Sequence, residues 1–258
     1  KSKALVVAFA IMVAAGWCST ASAAEVVVGA LNDMTGATSD VGKDYALGIA
    51  EAINYCNDNG GVNGKTIKLV QFDYGYRVPE ALTKYKLFKR MGAVAVQGWG
   101  TGDTEALAPT VTADKTPYVS ASYSGHLADP KKTPYNLFAA TDYSTNARAT
   151  LTAWFDKRWP KHADFGKRKP RLACMFMMAS PYASAPIKAI KDQATLLGFD
   201  IGPDQDVSLF AVDSKSQVLG LKDFKPDVVW HGNTTMSVAA TMRDAYALGL
   251  GADHIVNL

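Results

Sequence analysis

Residues 26–31 read VVVGAL and residues 66–72 read TIKLVQF, and these two stretches, with the segment between them, decide the fold class. The first is short, apolar and rich in valine, which is typical of a buried parallel strand. Between the two, apolar residues recur at the spacing of one helix face: Ala46, Ile49, Ala50 and Ile53. A strand, an amphipathic helix and a second strand in succession predict a parallel sheet covered by helices.

The same alternation continues to the end of the chain. In the first half, the pattern predicts two further helices and two further strands: helices Pro79–Arg90 and Thr104–Ala113, strands Ala93–Val96 and Pro117–Ala121. In the second half, it predicts helices Asn146–Lys157, Ala185–Leu197 and Val238–Leu248 and strands Leu172–Met178, Val207–Val212 and Val228–Trp230. We therefore expect an α/β fold of two lobes, each a parallel sheet flanked by helices, spanning residues 24–142 and 143–258.

Composition excludes several classes of protein. Of the 258 residues, 48% are hydrophobic and 20% are charged, which excludes a disordered chain, a collagen and a multi-span membrane protein. The 27 Lys and Arg against 24 Asp and Glu give a net charge of +3, too balanced to indicate nucleic acid or anionic lipid as a partner. The most basic stretch, residues 161–171, also contains Pro and Gly, and we expect it to be a solvated loop.

The first 23 residues have the pattern of a secretory signal peptide. Lys1 and Lys3 precede an uncharged run from Ala4 to Gly16, and Ala21-Ser22-Ala23 supplies small residues at the end. The apolar run is short for a membrane span, and a buried N-terminal helix is the alternative. We expect cleavage after Ala23 and release into the periplasm.

Export leaves two cysteines in the mature chain, and neither is expected to form a disulfide. Cys56 and Cys174 fall in different predicted lobes, so a bond between them is not expected. Cys174, inside an apolar strand, is interpreted as a core residue.

Sequence motifs of catalysis are absent. The chain contains no GxSxG, no HExxH and no P-loop, and its four histidines lack the spacing of metal ligands. Gly98, Gly100 and Gly102 follow a predicted strand, but their spacing is not that of a dinucleotide-binding loop. We therefore expect a protein that is not an enzyme and that uses no cofactor or metal.

Two loops have the chemistry of a ligand site. The loop after the third predicted strand contains Trp99, Gly100 and Thr101. The loop after the fourth contains Ser122, Tyr123 and Ser124. Ligands of parallel sheets bind at the carboxyl ends of strands, where hydroxyls and backbone N–H groups hold a carboxylate and aromatic rings wall the pocket. The alternative is a pair of ordinary loops with helix caps, and Asp103 nearby is at least as readily placed facing outward.

Several stretches resemble, in order, the leucine/isoleucine/valine-binding family of periplasmic substrate-binding proteins, the binding components of ABC importers. They are the first strand and its Thr35-Gly36 loop, the GGVNGK turn at residues 60–65, the helix at 102–109, the strand and loop at 117–122, and the segments 227–229 and 248–250. The resemblance implies two lobes joined by hinge crossovers, with the ligand trapped in the cleft by closure. It also implies an ABC permease in the inner membrane as partner.

The same resemblance implies roles for single residues. Thr101 falls at a hydroxyl position of the family's first ligand loop, and Ser122, Tyr123 and Ser124 fall at positions of the second. Tyr182 matches an aromatic of the second lobe that closes over the ligand, and Thr234 falls near another contact there.

The chain also departs from the family pattern. Val41 stands where some amino-acid binders have an aromatic, and Trp99 and Tyr123 are larger than usual. Family members continue beyond the point matching Leu258, so we expect an incomplete second lobe and an ammonium-binding acidic group outside this sequence. The expected ligand is a small carboxylate: a branched-chain or other amino acid, or an aromatic or other organic acid. The alternatives are a ligand-sensing ectodomain of a chemoreceptor or sensor kinase and an exported enzyme.

Overall fold

A computed structural model describes residues 24–251 and 254–257. The signal peptide predicted for residues 1–23, with its cleavage after Ala23, lies outside the described residues. None of the helices within these ranges combines the length and the hydrophobicity that crossing a membrane requires.

The first lobe is a five-stranded parallel sheet with helices on its faces. Its strands are β1 (Glu25–Asn32), β2 (Thr66–Asp73), β3 (Ala95–Gln97), β4 (Tyr118–Ser120) and β5 (Asn136–Phe138), in the spatial order β2-β1-β3-β4-β5. Its helices are α1 (Ser39–Asp58), α2 (Val78–Arg90) and α3 (Thr101–Ala113), and a 3₁₀ turn covers Gly125–Ala128. The order places β1 and β3 at the centre, so the loops that follow them lie side by side.

The second lobe repeats the arrangement with four parallel strands. They are β6 (Arg171–Phe176), β7 (Asp200–Asp206), β8 (Val228–His231) and β9 (Ile255–Asn257), in the spatial order β7-β6-β8-β9. Its helices are α4 (Tyr143–Lys157), α5 (Pro181–Ser184), α6 (Ile187–Leu196), α7 (Lys215–Lys222) and α8 (Thr235–Ala247). A 3₁₀ turn at Trp159–Lys161 follows α4. The expected fold class, two parallel sheets flanked by helices, is confirmed.

Each lobe has its own apolar core. In the first, Phe88 of α2 lies so close to β1 that a Cβ atom added to Gly29 would stand 2.6 Å from its ring, which explains why a glycine occupies that strand. In the second, Cys174 and Trp230 are fully buried among α4, α6 and the sheet. Its place in this core confirms the interpretation of Cys174 as a core residue, and Cys56 and Cys174 are both free thiols.

One predicted strand is wrong. Residues 207–212 form a loop. The strand of this region is β7 (Asp200–Asp206), which ends directly before that loop. Val207 and Leu209 lie in that loop and their side chains are buried, so their hydrophobicity reflects contact with the core rather than a place in the sheet. β7 is an edge strand paired only with β6, so it tolerates polar residues. Because of these polar residues, the hydrophobic pattern did not predict it. The sequence patterns also missed β5, α5, α7 and β9.

The basic segment at residues 161–171 is mostly a loop, but one of its arginines is only partly solvated. Arg168 donates two hydrogen bonds to the buried carboxylate of Asp227, at 2.7 and 2.8 Å, and lies over the ring of Trp159. Burial raises the pKa of Asp227, but the hydrogen bonds from Arg168 and from the N–H of Arg171 outweigh it and lower the pKa below its usual value. Arg168 therefore fixes this loop to the start of the second sheet.

The chain passes from the first sheet to the second through a short connection. β5 ends at Phe138 and α4 begins at Tyr143, where Asp142 caps the helix by accepting a hydrogen bond from Thr145 N–H at 3.0 Å. The boundary predicted between residues 142 and 143 lies in this connection and stays a prediction.

Candidate functional site between the two lobes

A cavity of about 310 Å³ lies between the two lobes, where the carboxyl ends of strands from both sheets face one another. This is the position at which parallel α/β sheets bind ligands. The first lobe contributes Thr38, Val41, Tyr45, Tyr76, Trp99, Gly100, Thr101, Ala121 and Tyr123. The second lobe and its connection contribute Tyr143, Tyr182, Asn233, Thr234 and Thr235.

The loop after β1 is held by the buried carboxylate of Asp33. It accepts hydrogen bonds from the N–H of Gly36 at 2.5 Å and from the N–H and hydroxyl of Thr38 at 2.7 and 2.8 Å. The oxygen of Thr38 in turn accepts a hydrogen bond from the indole N–H of Trp99 at 2.8 Å. Trp99 also packs against the ring of Tyr45, with 4.9 Å between ring centroids. The indole N–H of Trp99 therefore has a hydrogen-bond partner, and its ring is held in place as a wall of the cavity.

The start of α3 is built around Asp103. Its carboxylate accepts hydrogen bonds from the backbone N–H of Gly100 at 3.2 Å and from the hydroxyl of Tyr74 at 2.8 Å. Gly100 precedes the helix, and Asp103 stands at the third helical position, so this carboxylate caps the helix. Asp103 is buried rather than facing outward, and burial raises its pKa from 3.8 to about 7.

A group of hydroxyls joins the loops after β3 and β4. The hydroxyls of Thr101 and Ser122, both fully buried, lie 2.7 Å apart, and the hydroxyl of Tyr143 donates to the carbonyl of Ala121 at 3.4 Å. Burial, the largest influence, raises the pKa of Tyr143 to about 12, so its phenol stays neutral and remains a donor. This part of the cavity therefore offers hydroxyl groups without a charge.

The side chain of Asn233 holds the part of the cavity wall that comes from the second lobe. Its side-chain oxygen accepts a hydrogen bond from Met177 N–H at 2.9 Å, and its amide donates to Val207 O at 2.8 Å and to Ser237 at 2.9 Å. Asn233 thereby ties together the loops after β6 and β7 and the start of α8. Next to it, the buried Thr234 hydroxyl has no hydrogen-bond partner among the described residues.

Below that wall, a buried polar chain supports the loop after β8. His231 lies 2.9 Å from the hydroxyl of Thr241, to which Ser214 donates at 3.0 Å, and Asp244 accepts from Ser214 N–H at 2.7 Å. Burial lowers the pKa of His231 from 6.5 to about 4, so the imidazole is neutral at pH 7. The chain fixes α8, and with it Thr234, to the sheet.

The two lobes contact each other beside the cavity. The carboxylate of Asp40, in the first turn of α1, accepts a hydrogen bond from the backbone N–H of Met236, in the first turn of α8, at 2.9 Å. The rings of Tyr123, in the first lobe, and Tyr143, in the second, also meet edge to face, with centroids 5.9 Å apart. The cleft is therefore closed over the cavity in this structure.

The chemistry of the lining is aromatic and hydroxylic. Six aromatic rings face the cavity, and the described lining includes no Asp, Glu, Lys, Arg or His. Aromatic walls suit an apolar or planar group, while hydroxyls and backbone N–H groups at the start of α3 suit a carboxylate. Within residues 24–251 and 254–257, no group of three or more His, Cys, Asp or Glu is placed to hold a metal ion.

The structure brings most of the proposed site residues to one place. Those that line the cavity are Trp99, Gly100, Thr101, Tyr123, Tyr182 and Thr234. Ser122 and Ser124 do not line it. Ser122 is turned toward Thr101, and the hydroxyl of Ser124 lies 3.3 Å from Nδ1 of His126, which also pairs with Glu105. These two serines support the loop instead of facing the cavity.

Sequence reasoning missed part of the lining. It did not propose Thr38, Tyr45, Tyr76, Ala121, Tyr143, Asn233 or Thr235. A signal existed for Tyr76, because it follows β2 and the carboxyl ends of all parallel strands share one edge of the sheet. Tyr45 carried no comparable signal, since it lies within α1 and reaches the cavity only because the helix packs beside Trp99.

Residues 25–258 match the model of a family described as periplasmic binding protein. The chain therefore belongs to this family, which confirms the resemblance seen in its motifs. A 36% identical stretch of 81 residues is shared with a curated Pseudomonas aeruginosa protein called amino acid binding protein, covering 31% of this chain and 22% of that protein.

Solved structures of ABC-transporter binding proteins share the fold. A substrate-binding protein from Aeropyrum pernix is 34% identical, with a TM-score of 0.80 over 91% of this chain and 60% of that one. A Thermus thermophilus branched-chain amino acid transporter protein with bound valine is 23% identical, with a TM-score of 0.80 over 92% of this chain and 59% of that one. A Rhodopseudomonas palustris solute-binding protein in complex with 3,4-dihydroxybenzoic acid is 19% identical, with a TM-score of 0.71 over 90% and 61%. The chain thus spans about 60% of the length of these structures.

Proposed function

We propose that this chain belongs to the substrate-binding component of an ABC importer and that it traps a small carboxylate, an amino acid or an aromatic or other organic acid, in the cavity between its lobes. The observation that carries the proposal is the cavity itself. It is enclosed by the loops of both sheets and lined by hydroxyls, backbone N–H groups and aromatic rings, which suit a carboxylate with an apolar or planar body. Relatives named for bound valine and for 3,4-dihydroxybenzoic acid support both ligand classes.

The proposed contacts follow from the lining. Thr101 and the N–H groups at the start of α3 hold the carboxylate, and Trp99 and Tyr123 wall the ligand body. Tyr182 and Thr234 add contacts that exist only in the closed state, so ligand binding shifts the population of the protein toward closure. A permease of the inner membrane then recognises the closed form, after cleavage of the signal peptide behind Ala23 and export to the periplasm. In this proposal the chain is not an enzyme, and it uses no cofactor and no nucleic acid.

Ligand-induced stabilisation tests the proposal. The complete mature protein is heated with single amino acids and single aromatic carboxylates, and unfolding is followed by differential scanning fluorimetry. A ligand present at 100 times its dissociation constant adds about 2.7 kcal/mol to the free energy of unfolding. Stabilisation by members of one class supports the proposal and identifies the class, while absence of stabilisation by either class contradicts it.

A pair of matched variants ties the binding to this cavity. Ala121→Trp places a large side chain in the lining, and Ala128→Trp places the same side chain on an exposed position of the neighbouring 3₁₀ turn. We expect Ala121→Trp to abolish ligand stabilisation and Ala128→Trp to retain it. Equal ligand stabilisation in both variants would place the binding site elsewhere.

A further inference from the structure

A second cavity lies in the same cleft, beside the first. It measures about 490 Å³, and its walls are mainly apolar, with Val78 from the first lobe facing Met177, Pro181, Leu209 and Phe210 from the second. Arg77, Asp103 and Ser180 also line it, so polar groups occupy part of the wall. Phe210, at the rim of this cavity, is 58% exposed. The cleft therefore contains an apolar space that the ligand cavity does not use.

Tyr76 stands between the two cavities. Among the described residues that line them, it is the one that borders both. Its backbone is left-handed, with φ of 56°, and the preceding Gly75 has φ of 60°. Tyrosine rarely adopts this conformation, and here it turns the ring inward from the loop after β2. The ring lies over the start of α3, since a Cβ atom added to Gly100 would stand 2.6 Å from Cε2 of Tyr76.

We propose that Tyr76 sets the length limit of the ligand, because its ring closes the ligand cavity against the second, apolar cavity. This inference rests on the proposed function and deepens it. The ligand cavity, at about 310 Å³, is at the small end of the range of about 300–1,000 Å³ in which proteins bind small organic molecules. A ligand with a longer apolar tail must displace the ring, and without the ring the tail enters the second cavity.

The variant Tyr76→Gly removes this partition. Glycine adopts a left-handed conformation without strain, which offsets part of the packing that is lost when the ring leaves the edge of the first-lobe core, and thermal unfolding of the variant checks that it folds. Tyr76→Phe is the matched control, because it keeps the ring and removes only the hydroxyl. Opening the second cavity exposes the tail of a ligand to apolar walls, which improves affinity by about fourfold for each buried methylene.

The test is a homologous series of ligands measured by isothermal titration calorimetry. The probes are benzoate and its 4-ethyl, 4-butyl and 4-hexyl derivatives, with norvaline, norleucine and 2-aminodecanoate as the parallel series for an amino-acid site. For wild type and Tyr76→Phe, we expect affinity to fall as the tail lengthens. For Tyr76→Gly, we expect affinity to rise along the series, with the longest probe binding at least tenfold more tightly than to wild type.

The outcomes separate this inference from the proposed function. If wild type and Tyr76→Gly rank either series in the same order, the inference is overturned while the proposed function stands. If wild type binds no member of either series, the proposed function fails. Crystal structures of wild type and Tyr76→Gly then decide the inference, since one continuous cavity in the variant supports the partition and two separate cavities overturn it.

Discussion

The carboxylate of Asp40 accepts a hydrogen bond from the backbone N–H of Met236 at 2.9 Å, across the cleft between the lobes. The two residues are 196 positions apart in the chain, and each lies in the first turn of its helix. A carboxylate at a helix N-terminus interacts favourably with the unpaired N–H groups and the helix dipole. Since separation of the lobes breaks this contact, it stabilises the closed state.

Asp40→Ala is expected to weaken ligand binding by about tenfold, because the closed state loses one charge-assisted hydrogen bond worth about 1–2 kcal/mol. Isothermal titration calorimetry measures the affinity, and small-angle X-ray scattering of the ligand-bound protein reports the degree of closure. The control is Asp44→Ala, which removes an exposed carboxylate one turn further along the same helix. Equal affinity in Asp40→Ala and wild type would show that the contact does not contribute to closure.

Thr234→Val tests a contact from the second lobe. Thr234 lines the cavity, and its buried hydroxyl has no partner within the described part of the chain, so removal of the hydroxyl does not cost the ligand-free protein a hydrogen bond. We expect unchanged thermal stability without ligand and a loss of affinity corresponding to about 1–3 kcal/mol with it.

Thr112→Val is the matched control for that substitution. The hydroxyl of Thr112 is likewise buried and without a partner among the described residues, but it lies in α3 outside the ligand cavity. Its removal should leave affinity unchanged. A similar loss of affinity in both variants would argue that Thr234 acts through stability rather than through the ligand.

Asp103→Asn should change how stability depends on pH. The native protein binds a proton at Asp103 up to about pH 7, whereas the unfolded chain releases it near pH 3.8. Between these values the native state holds more protons, so the contribution of Asp103 to the free energy of unfolding decreases as pH rises from about 4 to 7. The full effect is at most about 4 kcal/mol.

Thermal unfolding of wild type and Asp103→Asn from pH 4 to 8 measures this contribution. His231 acts with the opposite sign, because its lowered pKa makes stability fall as pH drops from 6.5 to about 4. That effect is common to both proteins and cancels in their difference. We expect the free energy of unfolding of wild type to exceed that of Asp103→Asn most near pH 4, and this excess to shrink toward pH 8. An excess that does not depend on pH would contradict the prediction. Asp156→Asn, an exposed carboxylate in α4, is the control.

Arg168→Ala is expected to destabilise the second lobe by about 3–5 kcal/mol, because it leaves the buried carboxylate of Asp227 without its main partner. Chemical denaturation measures the free energy of unfolding. Lys161→Ala removes an exposed positive charge from the same segment and should change stability by less than about 0.5 kcal/mol. Equal effects of the two substitutions would show that the ion pair contributes no more than a surface charge.

The fold was largely predictable because most strands are buried in the middle of their sheets. VVVGAL and the apolar stretch of β6 can be recognised as strands from the sequence, since a strand covered on both faces is apolar along most of its length. One wrong prediction shows the difference between burial and strand pairing. The pattern placed a strand at Val207–Val212 because valine, leucine and phenylalanine occur there, but hydrophobicity reports burial and not strand pairing. The true strand, Asp200–Asp206, is polar because it lies at the edge.

The lining of the cavity could be predicted only where the local sequence of a loop indicated it, and the roles of these residues in binding stay a prediction. Gly100 and Thr101 follow a strand and precede a helix, a local pattern that indicates a ligand loop. Asn233 and Tyr143 reach the cavity through the packing of distant elements, and no local pattern carries that information. Ser124 shows the converse, since its position in the loop suggested a ligand contact, but its hydroxyl turns toward His126.

The left-handed backbone at Tyr76 has a consequence for how this protein could diverge. The local conformation favours glycine over tyrosine, so a change to glycine there would relieve strain while it enlarges the space open to ligand. Most changes that remake a binding site weaken the fold and need compensation before they are tolerated. At residue 76 the relief of backbone strain offsets part of the packing lost with the ring, which lies against the core of the first lobe, so a wider range of ligands would cost less stability there than at lining residues with an ordinary backbone.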